Sequence, residues 1–427
     1  ISFCINTANN EKEYILLLLQ SLLDHTEASL HEVLVFVDTD NQNTYEALLE
    51  FKAKMPNLRL CKNSDEFPVW YQRNVSILFE AAVNDIVCYL HSDMVVGKDF
   101  DKHICNNLQS ERTILCCARI EPPLHPASPE KVVKDFGLVP AEFQYDNFNK
   151  YVDELQAENR PNQWGHMVPF VLYKKAWFDV LGGFDTQFRS SREDGDMITR
   201  MGLCEFDLVQ CWNAVVYHFT CVSSRGKDWY ATEKASQVKN QLQELADLQE
   251  HKRYIRKWGT FTLFPQPVFD ISFDIQLDRA VDMQLLKFIE PYGRRLYLSD
   301  PAVVNQLVSQ LEFESDYYNN LRWGYTSHYW NSVKHLHNPT NYGNRVLWWE
   351  DDRQGDIVIS CKYSDLTDQW SEEVAVFIQN IHKLINDAEE GEFTYGPFHL
   401  DIKQKNNLMH ANKKVNHPFD SKTYTFE

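Results

Sequence analysis

Three short clusters hold the side chains with which this chain can do chemistry. His91-Ser92-Asp93 puts an imidazole and a carboxylate two positions apart, directly after the apolar run Ile86-Val87-Cys88-Tyr89-Leu90. Val216-Tyr217-His218-Phe219 ends a second apolar stretch on an imidazole, and Arg225 and Lys227 follow on a Ser- and Gly-containing segment. Ser191-Arg192-Glu193-Asp194-Gly195-Asp196 gathers acids where a helical pattern begins. Carboxylate and imidazole donors at strand ends can hold a divalent cation, and such a mixed set suits Mn²⁺ at least as well as Mg²⁺. Plainer roles exist for the same residues: a polar turn after a buried strand, and acids that favour the dipole in a first helical turn.

Which reading holds depends on the elements that carry these residues. Short apolar runs alternate with helical patterns over the first 120 residues. Ser2–Ile5, Glu32–Val37, Leu58–Cys61, Asp85–Leu90 and Thr113–Ile120 read as strands; Glu11–Leu23, Thr44–Lys54, Tyr71–Val83 and Phe100–Gln109 read as helices. That alternation predicts an α/β fold with a mostly parallel sheet, whose ligands bind beyond the carboxyl ends of the strands. Asn6–Asn10, Asp38–Asn41 and His91–Asp93 then share one edge. Four prolines break the chain over Glu121–Pro129, and the polar stretch Tyr145–Gln163 reads as a long excursion of the kind that carries acceptor loops. Order resumes with Val168–Tyr173, a helix at Lys175–Leu181, the turn Gly182-Gly183, an extended Phe206–Phe219 and a helical Trp229–Trp258.

Bulk properties narrow the classes. A chain of 427 residues favours two domains, and 44% hydrophobic with 24% charged residues reads as soluble and globular. The formal net charge of -19 repels phosphate backbones, which argues against a nucleic-acid partner. Ten cysteines sit mostly inside apolar runs and form no CxxC pair, so neither a disulfide framework nor a structural zinc site is expected. A reducing, cytoplasmic location fits that usage. No signal-peptide pattern or membrane-length apolar run is visible, the longest apolar stretch being Tyr14 to Leu19.

Taken in order, these features resemble family 2 glycosyltransferases, whose catalytic domain has the GT-A fold, over about residues 1 to 259. Ile5-Asn6-Thr7-Ala8-Asn9-Asn10-Glu11 is similar to the strand and turn that line the nucleotide in that family, with Asn6 in place of a proline and Ala8 in place of an aromatic. Val37-Asp38-Thr39-Asp40 resembles its acidic turn towards base or ribose, and Arg73-Asn74 its Arg-Asn pair. His91-Ser92-Asp93 stands where the family carries Asp-x-Asp, with His91 in the place of the first acid. Leu181-Gly182-Gly183-Phe184-Asp185 and the acids from Glu193 match its Gly-Gly-Phe-Asp turn and Glu-Asp motif. The resemblance implies transfer of a sugar, with inversion, from a UDP, GDP or dTDP sugar to a glycan, lipid-linked or protein acceptor. It implies Asp194 as general base with Glu193 beside it. Asp93, His218 and His91 would hold Mn²⁺ or Mg²⁺, while Thr7, Ala8, Asn9, Glu11, Asp38, Arg73, Ser92 and Arg225 would line the nucleotide sugar. Trp164 and His166 stand where an acceptor sugar could stack, although packing is the commoner use of a tryptophan.

The expected architecture is therefore a GT-A (Rossmann-like) catalytic domain over 1–260, a linker at 261–270, and a smaller mixed α/β domain over 271–427. The last domain resembles nothing, has an acceptor-binding or assembly role as its expectation, and ends in a polar tail from about 395. Two competing classes share some of these features. A sugar-1-phosphate nucleotidyltransferase needs a glycine-rich phosphate loop, and Ile5–Glu11 has no glycine. A non-catalytic nucleotide-sugar or glycan-binding protein on a diverged transferase fold accommodates His91 but leaves Glu193-Asp194 without a task.

Overall fold

The computed structural model describes residues 1–64, 71–125, 127–165, 168–185, 188, 192–220, 222, 248–261, 266–321, 345–348, 355–415 and 424–427. The chain forms two compact units, one of Ile1–Thr186, Cys204–Ser236 and Val415–Glu427, the other of Gln187–Leu203 and Gln237–Lys414. This division differs from the single break expected at 261–270. Residues 187–203 and 237–260 cluster with the second unit, and the last segment returns to the first.

The first unit is built on β1 (Ser2–Thr7), β2 (Glu32–Val37), β3 (Leu58–Lys62), β4 (Ile86–His91), β5 (Met94–Val96), β6 (Thr113–Glu121), β7 (Lys131–Val133), β8 (Gln163–Trp164), β9 (Phe170–Tyr173) and β10 (Asp207–His218). Helices α1 (Lys12–His25), α2 (Thr44–Phe51), α3 (Tyr71–Ala81) and α4 (Phe100–Asn107) connect them. In α1 the buried Ile15, Leu18, Leu19 and Leu22 repeat at helical spacing, which gives the helix one face for the sheet. The strands β1 and β2 are buried along almost their whole length on both faces, as strands covered by helices on each side must be.

The sheet order is β3-β2-β1-β4-β9-β6-β10-β5, with β7 on β6 and β8 on β10. β1 pairs in parallel with β2 and with β4, so the strand order reverses there and opens a crevice at their carboxyl ends. β9 is antiparallel between β4 and β6, and β5 is antiparallel to β10. Only Ser92 and Asp93 separate β4 from β5, although three strands lie between them in the sheet. A flat sheet would put these two strands about 19 Å apart. Three Cα steps reach roughly 11 Å at most. The sheet must therefore curl until the ends of β4 and β10 face each other.

The stretch Tyr145–Gln163 is not an excursion. Residues Tyr145–Ala157 form helix α5, and its buried Phe148, Val152 and Leu155 recur at helical spacing. They pack with Ile120, Trp212, Val215 and Tyr217 of β6 and β10. The turn Gly182-Gly183 has both residues at positive φ, 73° and 83°. A Cβ on Gly182 would lie 1.8 Å from the Val415 carbonyl oxygen, and the Val415 N–H donates to Leu181 O at 3.2 Å. Glycine is required there by both conformation and contact.

In the second unit α6 (Glu193–Leu203) and a helix over 248–258 accompany a second sheet. Of the expected helix Trp229–Trp258, only that last part lies within the described residues. The strands β11 (Ile271–Gln276), β12 (Arg295–Leu298), β13 (Arg345–Trp348), β14 (Ile357–Lys362), β15 (Gly391–Tyr395) and β16 (Phe398–Ile402) take the order β13-β12-β11-β14-β16-β15. The polar tail expected from about 395 begins instead with β16, which closes a hairpin with β15. Phe398, Leu400 and Ile402 alternate into the core while His399 and Asp401 face outward, so a low overall hydropathy concealed a strand of period two. Inside this core the Phe269 N–H donates to His382 Nδ1, and His382 Nε2 lies 3.0 Å from Tyr292 O.

Candidate active site

Strand register assembles the first cluster. Met94, the first residue of β5, pairs with His218, the last of β10, and the Phe219 N–H donates to Asp93 O at 3.0 Å. Asp93 is thereby fixed beside His218, with Oδ1 3.4 Å from Nε2. His91 ends β4 opposite Asn6 of β1, and its ring lies 5.5 Å from that of His218. One ligand atom from each of His91, Asp93 and His218 can be chosen so that all lie within 4.8 Å of one another. Among the described residues this is the one group of three or more such side chains.

The electrostatics prepare these atoms for a cation. Burial pulls the His91 imidazole down to about 3, and a charge on His218 acts in the same direction, so His91 offers a lone pair at neutral pH. Burial raises the Asp93 carboxyl, but the neighbouring His218 outweighs it and holds it at about 2. For His218 burial acts downwards, yet Asp93 and Glu121 leave it above its ordinary value. Two imidazoles and an ionised carboxylate are the donor types that Mn²⁺ accepts.

Glu121 is the residue that sequence reasoning missed. It ends β6 one position beyond the Ile120–Tyr217 pair, which puts its Oε1 3.0 Å from His218 Nδ1. Lys131 Nζ meets Oε2 at 2.6 Å, and Arg119 Nε lies 2.9 Å from Oε1. Its signal was an acid at the last position of an apolar run, before Pro122-Pro123.

The turn after β1 forms the neighbouring wall. Glu11 Oε2 accepts from the Ala8 N–H at 2.8 Å, from Thr7 Oγ1 at 3.2 Å and from Ser92 Oγ at 2.7 Å. Buried there, the Glu11 carboxyl is pushed up to about 7 in spite of these donors. The structure thus brings Thr7, Ala8, Glu11 and Ser92 together, with Glu11 bracing the β1–α1 turn against the β4–β5 turn. The Asn9 N–H donates to Thr39 Oγ1 at 3.2 Å. The two acids of Val37-Asp38-Thr39-Asp40 separate in role. Asp40 caps α2 by accepting from the N–H groups of Gln42, Thr44 and Tyr45. Asp38 stands at the carboxyl end of β2 and accepts from Asn63 Nδ2 at 3.1 Å. Arg73 lies in the first turn of α3, partly buried.

The second unit presents Glu193 and Asp194 in the first turn of α6, with Asp194 exposed. The adjacent Asp196 is fully buried. It accepts from Arg200 Nε at 2.8 Å and Trp258 Nε1 at 2.9 Å, and Lys257 Nζ lies 2.6 Å away. One acid of the triplet thus anchors the helix while another faces solvent.

Trp164 does not join the His–Asp cluster. Its β8 partner Val209 pairs with Leu115, six residues before Glu121 along β6, or about 20 Å. It is 46% exposed, so it is not a core tryptophan either. His166, Arg225 and Lys227 lie outside the described residues.

The family model described as glycosyl transferase family 2 matches residues 2–181. No curated protein matches the chain. Among solved structures, TarS 1–349 of S. aureus is similar at 13% identity and a TM-score of 0.34, covering 51% of this chain and 58% of that one. GalNAc-T7 with UDP, GalNAc and Mn²⁺ is similar at 13% identity and a TM-score of 0.39, over 51% of this chain and 43% of the other. The mannosyltransferase PcManGT from Pyrobaculum calidifontis, with GDP-Man and Mn²⁺, gives 15% identity and a TM-score of 0.37, over 58% of this chain and 64% of the other. The chain spans less than two thirds of each of these three structures. The part of the chain that resembles glycosyl transferase family 2, residues 2–181, supplies β1 to β9 of the sheet and two members of its His–Asp–His cluster.

Proposed function

We propose that the protein is a metal-dependent glycosyltransferase that moves a sugar from a UDP, GDP or dTDP donor to an acceptor hydroxyl with inversion. The observation that carries this reading is the meeting of His91, Asp93 and His218 at the carboxyl edge of a family 2 sheet, beside the turns of β1 and β2. A divalent ion held by these three would offset charge on the departing nucleoside diphosphate. The chain's own residues do the rest. Glu11 holds the Thr7–Asn9 turn in the shape that receives the nucleotide, and Asp38 accepts from ribose or base. Arg73 and Ser92 are assigned to the donor pocket, and Arg225, which lies outside the described residues, to the departing diphosphate. Asp194, exposed at the start of α6, takes the proton from the acceptor hydroxyl as the new bond forms, with Glu193 orienting the acceptor. A carboxylate suffices because that hydroxyl turns acidic only as it attacks.

The acceptor is a glycan, a lipid-linked sugar or a protein, and the second sheet is read as its docking or assembly module. The proposed setting is cytoplasmic, on the placement of the cysteines inside apolar runs of the sequence. No helix among the described residues is long and apolar enough to cross a membrane.

Donor hydrolysis tests the reading. UDP-, GDP- and dTDP-sugars are screened with Mn²⁺ or EDTA on the wild type, Asp93→Ala and Asp194→Asn. The expected result is hydrolysis of one donor, abolished by EDTA and by Asp93→Ala. Transfer to an acceptor is expected to fall at least a hundredfold in Asp194→Asn. Nucleotide binding by thermal shift without hydrolysis or transfer of any donor would favour a binding protein instead.

A further inference from the structure

We propose that Glu121 is a positioning residue for the cation site: it fixes His218 as the Nδ1–H tautomer and so turns the Nε2 lone pair towards Asp93 and His91. This rests on the metal reading above and adds a residue outside the ligand set.

Hydrogen-bond accounting around Glu121 fixes the tautomer. Glu121 is 1% exposed; Lys131 Nζ donates to its Oε2 at 2.6 Å, and the Arg119 guanidinium adds a second positive charge 2.9 Å from Oε1 without donating a hydrogen bond there. A carboxylate flanked in this way stays ionised and can only accept. The third group at its oxygens, His218 Nδ1 at 3.0 Å, must therefore carry the hydrogen. The neutral ring then has its lone pair on Nε2, the atom 3.4 Å from Asp93 Oδ1. Two bare acceptors at that distance repel each other unless a proton or a cation lies between them. The arrangement is thus a half-built coordination sphere, with the tautomer chosen in advance. Arg119 and Glu121 alternate onto one face of β6, and Lys131 stands opposite Arg119 on β7. The clamp is therefore part of the sheet and needs no loop to close.

The test compares Mn²⁺ affinity, by electron paramagnetic resonance of the free ion, in the wild type, Glu121→Gln and Glu121→Ala. Both variants lose the charge, but glutamine retains an acceptor oxygen for His218 Nδ1–H. The expected result is a Kd raised about 10- to 100-fold in Glu121→Ala and substantially less in Glu121→Gln. Equal weakening in both variants would mean that only charge matters, and unchanged binding in a folded Glu121→Ala would mean no role; either overturns the proposal. A second measurement needs no substitution at Glu121. Histidine ¹⁵N shifts of the metal-free wild type at pH 9, with His218→Gln identifying the signal, are expected to show a protonated Nδ1 and a bare Nε2. An Nε2–H tautomer would overturn the proposal even if the variants do not fold. Absence of Mn²⁺ binding in the wild type would instead defeat the metal reading, leaving the tautomer to be judged from the spectrum.

Discussion

Replacing Asp196 by alanine is expected to be among the most destabilising single changes in the protein. Arg200, Lys257 and Trp258 converge on its two oxygens, with Arg200 fully buried and Lys257 and Trp258 nearly so. Losing one partner of a buried ion pair costs about 3–5 kcal/mol, because the other charge keeps its desolvation without its compensation. A buried N–H deprived of its acceptor adds about 1–3 kcal/mol, and since the three share one carboxylate the effects overlap. A total near 4 kcal/mol corresponds to a fall of roughly 8–16 °C in the melting temperature of a unit of this size. Calorimetry at pH 7 on the wild type, Asp196→Ala, and Asp196→Asn paired with Lys257→Met measures it. The paired variant is expected to recover part of the loss, since it removes a cation along with the anion. Because Asp194 lies two residues away on the same helix, transfer is expected to fall while Mn²⁺ affinity stays at the wild-type value. A melting temperature for Asp196→Ala within 2 °C of the wild type would refute the reasoning.

Three further outcomes are expected. Burial pulls the His382 imidazole down to about 4, so it is neutral in the folded protein while the unfolded chain takes up a proton below about pH 6.5. Its contribution is complete above that pH and is lost as pH falls towards 4, by about 3 kcal/mol; urea unfolding at pH 7 and 4.5 should show a flatter pH dependence in His382→Asn. Mn²⁺ affinity should weaken as pH drops below the raised pKa of His218, by up to about tenfold per unit, because the Nε2 proton competes for the ligand position; a flat titration between pH 8 and 6 would contradict this. Gly182→Ala should destabilise by at least about 1–3 kcal/mol, since its φ of 73° and the Val415 carbonyl 1.8 Å from the new Cβ both oppose it. Hydrogen exchange should show the Val415 amide released from Leu181 O.

The sequence made the strand ends legible because apolar runs stop sharply at Thr7, Val37 and His91, and a parallel sheet puts such ends on one edge. It also held His218, whose place follows from the length of β10. Glu121 was concealed by its neighbours, since an acid before two prolines reads as a loop, and only the β6–β10 register puts it against an imidazole. Asp38 and Asp40 could not be told apart, because capping depends on where α2 turns back. Helix α5 was misread since polar residues outnumber its stripe of Phe148, Val152 and Leu155. Trp164 looked close to the site only because the sheet's long axis is invisible in sequence distance.

The two compact units cross over four times along the chain, at about residues 186, 203, 236 and 414. The second unit is therefore not a bead strung after the first but two insertions within it, the shorter of which carries the Glu193-Asp194 motif. The family match ends at Leu181, just before the first crossing. For dissection this has a plain meaning. A fragment cut near residue 260 keeps the motifs but discards Val415, whose carbonyl closes on Gly182, and Glu427, whose backbone pairs with Leu60 on the outer edge of β3. Fragments that respect the fold would need the inserted segments excised and the flanking ends rejoined.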